Sequence, residues 1–137
     1  MRVQKNIPEK FRHENNLWVG LSARARIIYY SKDRVDLKDL QSYKDLTNKK
    51  FKGKICSRSG LHNYNLALLS SMIHHHGEEY SLKWAKNLKA NLARKPQGND
   101  RAQVKAISEG LCDLALGNTY YMGKMLENPK QRGWAAS

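Results

Sequence analysis

The run Cys112, Asp113, Leu114, Ala115, Leu116, Gly117, Asn118, Thr119, Tyr120, Tyr121, Met122 decides how this chain is read. Cys112 to Leu116 has the apolar character of a short buried strand, and the residues after Gly117 change to a helix start. A strand passing directly into a helix is the repeating step of an α/β protein. In open parallel sheets, ligands gather at the carboxyl ends of the strands, where free N–H groups of the next helix favour negative charge. Two adjacent phenols stand at that place. Phenol ionises near pH ~10, so paired phenolates at neutral pH require a strong cation, and an oxygen ligand suits a hard one.

Upstream of this run the same alternation recurs. Asn99 or Asp100 caps a helix with Val104, Ile107 and Leu111 on its inner face, and Gly110 ends it. Pro96 and Gly98 turn the chain into that helix from another, about 79–91, with Tyr80, Trp84, Ala85 and Leu88 on one side. Leu66, Leu69, Met72 and Ile73 define an earlier helix that Gly77 stops, with Tyr64 near its start. Before it lie the short strand Lys54, Ile55, Cys56, Ser57 and a helical repeat of Leu37, Leu40, Tyr43 and Leu46. Trp18 to Tyr30 reads as a strand of unusual length, and the polar stretch 1–16, broken by Pro8, reads as a lead-in. At the other end Asn128 and Pro129 are a cap and first-turn residue for one more helix. The fold class is therefore α/β, a mostly parallel sheet flanked by helices.

With 137 residues the chain fits one domain. A hydrophobic fraction of 40% and a mean hydropathy of −0.76 describe a wet surface. No stretch approaches the ~20 apolar residues of a membrane span, and Met1 to Lys10 lacks the apolar segment of a signal peptide. The formal charge of +13 suits acidic partners such as nucleic acid, but the bases are scattered among acids, which favours solvated faces. Cys56 and Cys112 form no Cys-x-x-Cys pair, so two buried thiols are expected instead of a disulfide framework or a zinc knuckle. His74, His75 and His76 follow one another on a helix, point about 100° apart and cannot converge on one ion. They read as a wet helix end. His62 reads as a turn residue, and Trp18 and Trp84 as core or hinge packing.

Two strand-to-helix turns carry the chemistry. Ser57, Arg58, Ser59, Gly60 and Tyr64 belong to one, and Asn118, Thr119, Tyr120 and Tyr121 to the other. If their strands lie side by side, Tyr64, Tyr120 and Tyr121 offer three phenolic oxygens to one cation. Half-buried packing with hydroxyls in water explains the same tyrosines, and spacing alone does not choose between the two.

Several separated motifs, in order, point to a family. Gln97 to Gln103 and Gly117 to Tyr121 resemble the ferric-iron-binding proteins that feed bacterial ABC importers. So do Trp18, Gly20, Leu21, Ser22, Arg24, Arg26 and Ile27, then Lys52 to Ile55, then Ser57 to Asn65. The resemblance covers nearly all of the chain beyond its first residues. It implies a periplasmic binding protein of the second structural type, in which two α/β lobes close over ferric iron and no reaction is catalysed. On that pattern 17–30 crosses between lobes and 31–137 is part of the second lobe. The implied metal ligands are Tyr64, Tyr120 and Tyr121. Arg24 and Arg26 beside the cleft, with Ser59, Gly60, Asn99 and Asn118, match positions that neutralise or hold a synergistic anion such as carbonate. Salt bridging, turn formation and capping account for those six residues equally well.

The resemblance further implies docking to an inner-membrane permease and a periplasmic location. Full members are well over twice this length, so the sequence reads as a fragment, such as a piece of a split gene or a decayed remnant. The first lobe, with further ligands, would then lie outside this sequence, on another chain if the gene is split. The alternative from a different class is a basic α/β module that binds nucleic acid or another polyanion through salt-sensitive contacts. No local nucleophile-and-base motif supports an enzyme.

Overall fold

The computed structural model describes residues 6–15 and 17–136, so residues 1–5 and 16 of the expected lead-in lie outside the described residues. Three strands, β1 (Arg26–Tyr30), β2 (Ile55–Cys56) and β3 (Leu114–Asn118), form a sheet in the order β1-β3-β2. Among the described residues five α-helices surround it: α1 (Asn63–His76), α2 (Glu78–Ala90), α3 (Asp100–Ser108), α4 (Thr119–Glu127) and α5 (Pro129–Ala135). The class is α/β. β2 runs parallel to β3, and a parallel bridge from Ile55 to Leu92 extends the sheet on that side. β1 runs antiparallel to β3, with Arg26 opposite Asn118 and Tyr30 opposite Leu114. Apolar periodicity reports which face is buried and is silent on strand direction, so this antiparallel edge was not visible in the sequence.

Alternation along the strands divides the core between the two faces. Leu114 and Leu116 of β3, with Ile55, pack on Leu68 and Met72 of α1, Trp84 of α2 and the buried Leu46 and Phe51. Ala115, Tyr29 and Cys56 face the other way, onto Val104 and Ile107 of α3, Met125 of α4 and Ala135 of α5. Gly77 ends α1 at φ 82°, a left-handed geometry that favours glycine. Asn99 caps α3 by accepting from the Ala102 N–H, and Asn128 caps α5 by accepting from Lys130, with Pro129 first in the helix.

Five expectations are corrected. Cys56 and Cys112 form a disulfide, Cα to Cα 5.8 Å, in place of two thiols. The parallel pairing of β2 and β3 brings residues 56 apart in sequence into bridging range, which spacing alone did not reveal. The helical repeat near 37–46 is instead three short 3-10 turns, Leu37–Asp39, Tyr43–Thr47 and Lys49–Phe51. Asp36, Asp45 and Asn48 each bond nearby backbone N–H groups and restart the chain before an α-helix can propagate. Regular strand between 18 and 30 is confined to Arg26–Tyr30. Leu17, Trp18 and Leu21 before it are exposed, so Trp18 does not pack in the core. Tyr80, expected on the inner side of α2, sits at the surface beside His76. Trp84 does fill the core, and its indole N–H donates to the Tyr43 carbonyl at 2.7 Å.

Candidate tyrosine and arginine site

Because β2 and β3 are parallel neighbours, the turns that follow them open on one edge of the sheet. From the first turn, α1 starts with His62 as its cap, the imidazole Nδ1 accepting from the Tyr64 N–H at 3.2 Å. From the second, α4 starts directly after Asn118. The two helices bring Tyr64 and Tyr120 together with their hydroxyl oxygens 3.1 Å apart. Tyr121 stacks on Tyr120, ring centroids 4.4 Å apart and planes 30° apart. All three rings are half-buried. Three phenols expected from separate turns thus form one cluster.

Positive charge surrounds the cluster. The guanidinium carbons of Arg58, Arg26 and Arg24 lie 5.1, 5.8 and 6.0 Å from the Tyr64 ring centre. Lys124 lies 5.5 Å from the Tyr120 ring and Arg101 5.6 Å from that of Tyr121. Cations over ring faces are attracted by the aromatic quadrupole. They also leave the site with more positive charge than its one buried carboxylate offsets, which suits an anion or phenolates.

That carboxylate is Asp100, whose side chain is fully buried. Its Oδ2 accepts from Arg26 at 2.8 Å and from the Asn118 backbone N–H at 2.9 Å, while Oδ1 accepts from Arg58 at 3.1 Å. Arg26 also donates to Asn65 Oδ1 at 2.7 Å and to Asn118 Oδ1 at 3.0 Å. Asn118 is held at a third atom, its carbonyl, by the Tyr29 hydroxyl at 2.6 Å. Burial, and next the Asp100 charge, push the Tyr29 phenol up to about 12, so this tyrosine stays protonated and acts as a donor. Gly117 makes room for it. A Cβ there would come within 2.9 Å of ring carbon Cδ2, and nearer still to Cε2.

Among the other residues singled out from sequence, Arg24 and Arg26 reach the cluster and Asn118 anchors the turn that carries it. Ser59 and Gly60 are exposed, and the Ser59 hydroxyl accepts from the Leu61 N–H. Asn99 is exposed and occupied as the cap of α3. Sequence reasoning assigned no role to Asn65, Tyr29, Gly117 or Asp100 in building the site, and treated Arg58 as a turn residue. One signal was available for Asp100: in Asn99-Asp100 only one residue can cap, which frees the other carboxylate for use elsewhere. Among the described residues no group of three or more His, Cys, Asp or Glu side chains gathers to hold a metal ion, so a candidate metal wall here rests on the phenols.

The sequence profile of the bacterial extracellular solute-binding proteins matches residues 1–135. The chain belongs to that family. As a solute-binding protein it is 44% identical over 135 residues to iron uptake protein A1 of Synechocystis, an alignment covering 97% of this chain and 38% of that protein. Among solved structures it superposes on the apo ferric ion-binding protein A of Pasteurella haemolytica with a TM-score of 0.91 and 53% identity. That match covers 98% of this chain and 43% of the other. A Trichodesmium protein solved in complex with iron and citrate ligands gives a TM-score of 0.91 at 40% identity, covering 97% and 43% of the two chains. The chain therefore spans less than half the length of these relatives.

Proposed function

We propose that this chain supplies one wall of a ferric iron site in the substrate-binding component of an ABC-type iron importer. Tyr64, Tyr120 and Tyr121 are the ligands. The observation that carries this reading is the approach of the Tyr64 and Tyr120 hydroxyls to 3.1 Å across 56 residues of sequence. Ferric iron is a hard cation that prefers oxygen donors, and phenols lose their protons as they take such an ion. The relatives described above are named for iron uptake or ferric ion binding, or were solved with iron, which supports the same cargo here.

Arg24, Arg26 and Asn118, with Ser59, Gly60 and Asn99 in the turns of the same edge, provide positive charge and donors for a synergistic anion such as carbonate beside the metal. The protein binds and delivers its cargo and catalyses no reaction. It works in the periplasm and hands iron to a membrane permease. In this reading residues 1–16 lead in, 17–30 cross from an opposing lobe and 31–137 belong to the second lobe, the opposite wall being supplied by sequence outside this chain.

Titration with ferric citrate tests the proposal. Loading is expected to raise a visible phenolate-to-iron charge-transfer band that the double variant Tyr120→Phe/Tyr121→Phe lacks. An unchanged band in that variant, or no band with the unaltered chain, rejects the ligand assignment.

A further inference from the structure

A cavity of about 610 Å³ lies on the α1 and α2 face of the sheet, and its walls sort into two kinds. The floor is hydrocarbon: Leu68 and Leu69 of α1, Trp84 and Leu88 of α2, Leu92 and Leu116. Because the Trp84 N–H is already spent on Tyr43, the indole contributes only apolar surface. The charged lining is cationic, with Arg58, Lys89, Arg94 and Lys95 and no Asp or Glu, beside the neutral Ser57 and Asn65. Four cations and no carboxylate around one apolar floor suit an anionic head group on a hydrocarbon body.

We propose that this cavity is a binding site for a small amphipathic carboxylate, an acid with an unbranched or aromatic hydrocarbon body. The volume falls within the ~300–1,000 Å³ of small-molecule sites. The body lies against the leucines and Trp84, and the carboxylate accepts from Arg94 and Arg58, for which a guanidinium fork is well shaped. Charge complementarity selects the head group, since a cationic head would meet only like charge among the lining side chains. The cavity shares Arg58, Gly60 and Asn65 with the edge that carries the phenol cluster, so the test below omits iron to keep the two readings apart.

The test is calorimetric titration of the full 137-residue chain, without iron, so that it is independent of the proposed metal site. Decanoate below its micellar concentration is expected to bind saturably at one site. Acetate, which has the head without the body, and decyltrimethylammonium, which has the body with the opposite charge, are expected not to bind. Arg94→Gln should weaken decanoate about tenfold or more, the loss of one charge-assisted pair. Ala85→Trp, which fills the cavity from its wall, should abolish binding while the thermal transition remains. The proposal is overturned if decanoate fails to saturate at one site, if either control ligand binds comparably, or if both variants bind decanoate as the unaltered chain does. Should the filled variant fail to fold, the comparison of three ligands on the unaltered chain decides alone.

Discussion

Arg26 and Asp100, 74 residues apart in the chain, meet in a 2.8 Å ion pair in which the carboxylate has no exposed side-chain surface and the guanidinium keeps 9%. This pair joins β1 to the start of α3, and through the Asn118 N–H it also fixes the turn that presents Tyr120 and Tyr121. Removing one member of a buried pair strands the other's charge. Asp100→Ala is therefore expected to lower stability by about 3–5 kcal/mol in urea denaturation, with Asp100→Asn losing less because it can still accept from Asn118. A change below about 0.5 kcal/mol for Asp100→Ala would show that the pair does not hold the edge together.

Gly117 should tolerate no side chain while Tyr29 is in place. The clash of a Cβ with the Tyr29 ring predicts that Gly117→Ala costs about 1–3 kcal/mol, the usual range for overpacking. Adding Tyr29→Ala to Gly117→Ala should then cost less than the sum of the two single losses, since the clash is gone. A double-mutant cycle with strictly additive losses would disprove the steric coupling.

Alkaline pH should weaken the fold through Tyr29. Its folded-state value of about 12 lies above the 10.0 of a free phenol, so the unfolded chain loses this proton first. The stability that the neutral, buried hydroxyl contributes is complete below pH ~10 and disappears as pH rises toward 12. Urea midpoints measured across that window should fall more steeply for the unaltered chain than for Tyr29→Phe, whose buried ring cannot ionise. Parallel slopes would place the titration on other tyrosines.

Reduction should destabilise the chain without touching any of the three clustered tyrosines. In the chain-entropy estimate, a crosslink between residues 56 apart contributes about 4 kcal/mol by restricting the unfolded state. Cys56→Ser/Cys112→Ser, or dithiothreitol on the unaltered chain, is expected to lower the urea midpoint by a corresponding amount. An equal midpoint with and without reductant would mean that the bond contributes nothing.

Much of this architecture was legible because local rules and the global fold agree. Gly77, Asn99 and Asn128 each end or start a helix as their chemistry requires, and the apolar run from Cys112 to Leu116 marked the buried strand that becomes β3. The tyrosines were legible as two strand-to-helix turns, but their meeting needed β2 beside β3, and nothing in either segment's sequence encodes that neighbour. The same long-range pairing hid the disulfide. At 37–51 the leucine spacing was misleading, since Asp36, Asp45 and Asn48 compete for the backbone that a helix would use. Asp100 was hidden for a related reason: beside a capping Asn99 it reads as a helix-start residue, and only the fold turns it toward Arg26 and Arg58.

The bond between Cys56 and Cys112 encloses α1, α2 and α3 in a single covalent ring, and that ring contains Arg58, Tyr64 and Asp100. Residues 118–121, which complete the phenol cluster, follow six positions beyond its clasp. A protease cut anywhere between 57 and 111 therefore opens the loop without releasing either piece. The nicked molecule keeps every donor of the cluster on one connected body, at full mass on a non-reducing gel, and separates into two parts only when thiol is added.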